Sequence, residues 1–226
     1  MTLRMTPKKE LAQKDSERSP VRMAAEDRRQ QILDVAVRLF SQKGFRGTTT
    51  KEIALAAGVN EAIIFRHFAT KSELYAAIID SKGEQGCMHE MQAQIAQAIA
   101  AKDDKKVFET FALSVLDFHQ HDETPMRIWF YSVLEGNELS KMIFRNHMAT
   151  MHRVLADYLK QRMRAGAFRK VEPNTAVRAF NGMVMGHAIH ERFFADEAHE
   201  LLNINNRQAA ERFTDIFLAG IKANTV

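Results

Sequence analysis

Cysteine is almost missing from this 226-residue sequence. Cys87 stands alone, which excludes an intramolecular disulfide and a cysteine-based zinc site and leads us to expect a reduced, cytoplasmic setting. Glycine and proline are sparse, at ten and four, so collagen-like, linker-like and turn-rich all-β architectures are excluded. There is no run of about 18 uncharged apolar residues, and hence no expected transmembrane helix. Met1 to Pro20 is polar and mixed in charge, unlike a secretory signal. Nucleophile motifs and phosphate-binding glycine loops are also lacking, so neither an enzyme nor a cofactor is expected. Strand-like alternation and internal repeats are absent as well.

What is present is globular: 46% hydrophobic and 27% charged residues. The small net charge of +4 is unevenly spread. Met1 to Tyr75 holds 14 Lys/Arg against 9 Asp/Glu, while Ala76 to Val226 holds 18 against 19. A basic first third favours an anionic partner, nucleic acid or membrane surface, at that end. Residues 1–24 carry Arg4, Lys8, Lys9, Lys14, Arg18 and Arg22, with Pro7 and Pro20 as helix breakers. They read as a flexible basic arm.

From Glu26 the pattern turns helical. Ile32, Val35, Ala36, Leu39 and Phe40 fall on one stripe, and Gly44 suits a left-handed helix end. Thr49 and Glu52 have capping-box spacing, Gly58 marks a tight turn, and Asn60 suits the N-cap of a helix ending at Phe68. Thr70 and Glu73 form a second capping box. Thr49 to Phe68 is therefore expected to be a helix-turn-helix. With Ile64 and Phe68 inward, Ala62 and Arg66 face out, flanked by Ile63 and Phe65. Apolar contacts suit thymine methyl groups and arginine suits guanine in a major groove. The alternative is an ordinary structural helix, its apolar residues covered by neighbours.

The stretch GFRGTTTKEIALAAGV, a short helix ending RHF, and KSEL after it carry a resemblance. Arg28 to Ile79 resembles the DNA-binding domain of the TetR/AcrR family of bacterial transcriptional regulators. The resemblance implies an all-α protein with a helix-turn-helix domain over 25–80 and a helical ligand-binding and dimerisation domain over 81–226. It implies DNA contact by Thr50 and Lys51 from the second helix, by Glu61, Ala62, Ile63, Phe65, Arg66 and His67 from the third, and by Lys71 at the start of the fourth. Phe65 stands where many members have Tyr, and Ile63 where many have Ser or Thr. Both exchange a hydroxyl for apolar surface.

Beyond residue 80 the sequence reads as further helices. One carries Met88, Met91, Ile95 and Ile99; a second carries Val107, Phe108, Phe111, Val115 and Phe118. A third, with Thr124 as cap and Pro125 at its first position, carries Met126, Trp129, Phe130, Val133 and Leu134. Long helices are expected over about 139–164, 174–194 and 205–222, about ten helices in all. The resemblance implies a pocket for a small inducer here, with Phe111, Trp129, Phe130, Phe144, Met148 and Met151 as candidate lining; plain core packing is the alternative. It also implies a homodimer built on the last two long helices, through Gly182, Met183, Gly186, His187, His190, Phe213 and Phe217. His187, His190 and Glu191 have a spacing that could meet a metal, but no third strong ligand is evident and no metal is expected. His119 and His121 are expected to be exposed near a loop. The function expected is a repressor that binds a near-palindromic operator and is released by an apolar or amphipathic ligand. A DNA-binding architectural protein with no inducer is the alternative.

Overall fold

The computed structural model describes residues 20–83, 87–120 and 122–223, and among these nearly every segment is helical. The order is α1 (Pro20–Lys43), α2 (Thr50–Ala56), α3 (Glu61–His67), α4 (Lys71–Gly83), α5 (Cys87–Ala101), α6 (Asp104–Gln120), α7 (Thr124–Leu134) and α8 (Glu138–Ile143). A π-helical turn, Phe144–Met148, leads into α9 (Ala149–Arg164), followed by α10 (Pro173–Phe193), α11 (Ala195–Leu201) and α12 (Asn206–Ile221). A single antiparallel bridge, Phe168 with Lys222, is the only strand-like pairing among the described residues.

Several local expectations change. Pro20 does not break a helix; it is the first residue of α1, where a missing N–H costs nothing. Residues 20–24 are therefore helical, and the rest of the expected arm lies outside the described residues. Thr124 is the first residue of α7 rather than its cap, and its N–H donates to the Asp122 carboxylate at 2.9 Å. The expected long helix over 139–164 exists, interrupted by the π turn. The short α11 was not foreseen.

Two hydrophobic cores result among the described residues. The larger is centred on α6, α10 and α12, where Phe108 meets Phe180 edge-on at 5.2 Å and Phe217 at 4.8 Å. Asp104 ties α6 to α9 by accepting from Tyr158 Oη at 2.5 Å and from Arg162 Nε and Nη2 at 2.7 and 2.9 Å. That bidentate pair is the strong form of such a contact. Phe118 departs from its expected face and is exposed. Val133 and Leu134 are exposed too. The smaller core joins α1 to α4 through Ile32, Phe40, Ile53, Ile64, Leu74 and Ile78, and it takes in Ile128 from α7. Tyr75 Oη donates to the Ile128 carbonyl at 3.2 Å within it.

His119 overturns its expectation of exposure. Burial pushes its imidazole down to about 4, and its Nδ1 has no hydrogen-bond partner. His121 lies outside the described residues. An imidazole held below its ordinary value binds its proton less readily in the folded chain than in the unfolded one. Acidification from pH 6.5 to about 4 should therefore destabilise the fold, on the order of 3 kcal/mol through this group. Urea unfolding across that window should show a shallower acid loss for His119→Leu than for wild type. Parallel losses would refute this account of His119.

Candidate nucleic-acid interface

The geometry of α2 and α3 follows from their caps. Thr49 Oγ1 accepts from the Glu52 N–H at 3.1 Å, and Glu52 Oε2 accepts from the Thr49 N–H at 2.9 Å. The Lys43 ammonium donates to Glu52 at 2.9 Å, and that bond with the Thr49 contacts holds the Glu52 carboxyl down to about 2. Gly58 turns the chain with φ +64°, a left-handed conformation that disfavours any residue with a Cβ. Asn60 Oδ1 then accepts from the Ile63 N–H at 3.0 Å and starts α3. At α4 the second box is modified: Thr70 Oγ1 caps the Glu73 N–H, but Glu73 reaches past Thr70 to the Ala69 N–H.

Burial divides α3 as its periodicity requires. Ile64 and Phe68 are each 1% exposed, whereas Ala62, Phe65 and Arg66 face out. Phe65 is 46% exposed and stands beside Arg66, which gives the outer side of α3 a mixed apolar and basic face. Ile63 is partly covered by the smaller core, and His67 is half-buried. On α2, Lys51 is exposed. Thr50 is not free, because its hydroxyl donates to the Glu61 carboxylate. The bond occupies the Thr50 hydroxyl and one Glu61 oxygen together. Lys71 does not simply project into solvent. Its ammonium lies 4.1 Å from the centre of the Phe45 ring, and burial lowers its affinity for a proton against the opposing pull of Glu135 and Glu52.

The turn between α1 and α2 is held from 90 residues away. The Glu135 carboxylate, just after α7, accepts from the Phe45 N–H at 3.1 Å and from the Arg46 N–H at 3.2 Å. Arg46 returns a guanidinium bond to the Glu135 carbonyl at 3.0 Å, and Tyr131 Oη donates to the Gln42 carbonyl at 3.0 Å. Gly44 makes this approach possible: a Cβ there would collide with the Glu135 carboxylate and lie 2.9 Å from the Tyr131 ring. The sequence marked Gly44 only as a helix end. The contact of Phe45 and Arg46 with Glu135, and of Tyr131 with α1, is not legible there, because no short-range pattern announces a contact across 90 residues.

The candidate inducer residues are dispersed. Phe111 and Met151 are buried in the larger core, Trp129 and Phe130 pack on each other at 5.1 Å, and Phe144 is 57% exposed. Met148 is half-buried. Two cavities stand out among the described residues. One, of about 530 Å³, lies between α1 and the start of α7 and is lined by Asp34, Arg38, Asp122, Glu123 and Arg127 among others. The other, of about 310 Å³, lies between the start of α10 and the end of α12. None of the six candidate residues lines either cavity.

On α10, Gly182 and Gly186 meet nothing within 4 Å where a Cβ would stand, so they do not relieve packing inside the subunit. Met183 and Phe213 are half-buried and His190 is exposed. His187 is buried against the Phe213 ring at 5.5 Å, which pushes its imidazole below the ordinary value. Phe217 belongs to the subunit's own core and does not reach an outer face. Glu191 pairs with His199 at 3.0 Å, and no cluster arranged to hold a metal ion occurs among the described residues.

A capped helix-turn-helix on an all-helical body defines a helix-turn-helix transcriptional regulator. Residues 32–78 match the model of bacterial regulatory proteins of the tetR family. Residues 107–220, half of the chain, match the C-terminal domain of AefR-like transcriptional repressors. The chain belongs to the TetR family of bacterial transcriptional regulators. It is 27% identical over 194 residues to the helix-turn-helix regulator YvkB of Bacillus subtilis, covering 85% of this chain and 96% of that one. It is 54% identical to the regulator AcrR of Shigella flexneri, but only over 54 residues, about a quarter of each protein. Among solved structures, AibR in complex with isovaleryl coenzyme A and operator DNA superimposes with a TM-score of 0.60 at 20% identity, over 84% of this chain and 97% of that one. These relatives are regulators, not enzymes. No helix among the described residues is long and apolar enough to cross a membrane.

The Thr50–Glu61 pair has a testable consequence. Glu61→Gln keeps a partner for the Thr50 hydroxyl but removes a negative charge from the face that the family resemblance assigns to DNA. Affinity for mixed-sequence duplex should rise several-fold at low salt and converge with wild type as salt screens the difference. Unchanged affinity at low salt would place Glu61 away from DNA.

Proposed function

We propose that the protein is a homodimeric repressor whose two α3 helices enter successive major grooves of a near-palindromic operator, and which a small apolar or amphipathic ligand releases. The observation that carries this reading is the outer face of α3, where exposed Phe65 and Ala62 stand beside Arg66 while Ile64 and Phe68 anchor the helix from behind. Such a face offers methyl contact to thymine and a bidentate donor to guanine. Two copies roughly 34–36 Å apart read two half-sites. Lys51 and Lys71 supply phosphate contacts, with Thr50 and His67 at the edges of the same face. Residues 25–80 form the DNA-binding domain and 81–226 the regulatory and dimerisation domain, in a cytoplasmic protein. The open flank of α10 at Gly182 and Gly186, with Met183 and His190 alongside, supports pairing of α10 and α12 with their symmetry mates. The repressor sense draws support from the AefR-like repressor match. Release by ligand draws support from the fold shared with AibR, which was captured with a coenzyme A thioester and DNA. Ligand and operator must then couple reciprocally, typically by about 1–3 kcal/mol.

A second reading, a DNA-binding protein with no inducer, is favoured by one observation. Neither cavity is lined by the expected aromatic and methionine residues. Thermal shifts with a panel of apolar acids and thioesters separate the two readings.

Binding to a duplex selected from a random pool tests the DNA-binding reading. Arg66→Ala should weaken base preference at one position of each half-site by about 1–3 kcal/mol. Lys71→Ala should weaken binding to every sequence and reduce the salt slope by about 1 per protomer. If both variants bind like wild type, the α3 face is not the reading surface.

A further inference from the structure

We infer that Glu135 is a positioning residue which, through its hold on the α1–α2 turn, sets the half-site spacing that the protein accepts. The inference rests on the reading of α2 and α3 as the DNA-binding surface, and it concerns how that surface is oriented on the body.

Hydrogen bonds join the end of α7 to the module. Glu135 accepts two backbone N–H groups, of Phe45 and Arg46, that lie between two helices and lack helical partners. Arg46 closes the loop onto the Glu135 carbonyl. Tyr131 Oη reaches the Gln42 carbonyl in the last turn of α1. Lys71 rests on the ring of Phe45, and the Glu135 charge acts on its ammonium. A carboxylate bonded to two adjacent amides fixes both distance and direction, because charge-assisted bonds are short and directional. The bare Gly44 brings Glu135 and Tyr131 close enough to do so. The turn so held is the one from which α2 starts. In a dimer, the angle at which each body presents this turn becomes the separation between recognition helices. A rigid clasp makes that separation narrow, and a released one lets it vary.

The test uses the full-length protein and a duplex that wild type selects from a random pool, together with versions one base pair longer and shorter between the half-sites. Wild type should lose about tenfold or more on either altered spacing. Glu135→Ala should bind the selected duplex about tenfold more weakly, while its three affinities draw together within about threefold. Glu135→Gln keeps one acceptor oxygen and should fall between. Gly44→Ala, which also strains a backbone φ of +72°, should relax spacing discrimination as Glu135→Ala does and relax it no further in the Glu135→Ala background, whatever it costs in stability. A Glu135→Ala protein that binds more weakly yet discriminates spacing as steeply as wild type would reduce the clasp to a stability contact and overturn the inference. Wild-type affinity and discrimination would overturn it too.

If wild type selects no duplex, the DNA-binding reading fails by itself, and the clasp is judged without DNA. Spin labels on Ala56→Cys and Asp157→Cys, in a Cys87→Ser background diluted with unlabelled protein, report the module-to-body distance. A narrow distribution in wild type that broadens with Glu135→Ala supports the clasp; identical distributions refute it.

Discussion

Met126 and Ile128 lie two residues apart on α7, and each is 1% exposed, yet they enter different hydrophobic cores. Met126 packs into the large core built around α6 and α10, and Ile128 into the small core of α1 to α4. One short helix is thus a shared wall. The N-terminal core is small, and small cores are hard to stabilise alone. Borrowing Ile128, with the Tyr75 hydroxyl on its carbonyl, binds the fate of the DNA-binding helices to the position of α7.

That constraint shapes how the molecule can work. Anything that shifts α7 against the large core must also shift a residue of the small one. Close-packed interiors transmit such displacements because they have little room to absorb them. The polar cavity between α1 and the start of α7 lies along the same wall, and Arg127 in it pairs with Glu123 at 2.8 Å. The C-terminal body therefore reaches the small core by packing at Ile128, and the α1–α2 turn by hydrogen bonds at Tyr131 and Glu135.

The helix-turn-helix was legible in the sequence because short-range chemistry writes it. Caps at Thr49 and Asn60, a left-handed glycine at Gly58 and a 3.6-residue stripe each act within a few residues. The outward placement of Ala62, Phe65 and Arg66 followed from the same period. The Thr50–Glu61 bond, spanning eleven residues, was already out of reach, since it depends on how two helices cross. Helical spacing puts Phe118, Val133 and Leu134 on apolar stripes, but all three are exposed, and among the described residues nothing covers them. His119 shows the opposite error, a polar residue taken for a surface one and then covered by packing. The dual allegiance of α7 left no mark at all, because Met126 and Ile128 look alike in a sequence and only the third dimension assigns them to separate cores.

Hydrogen exchange on the intact protein tests the shared wall most directly. Replacing Ile128 with Ala leaves a cavity in the small core and should cost several kcal/mol, about 2–5. Amides throughout α1 to α4 should then lose protection, while those of α10 and α12 keep theirs. Unchanged protection in α1 to α4 would contradict the claim that α7 holds the DNA-binding helices in place.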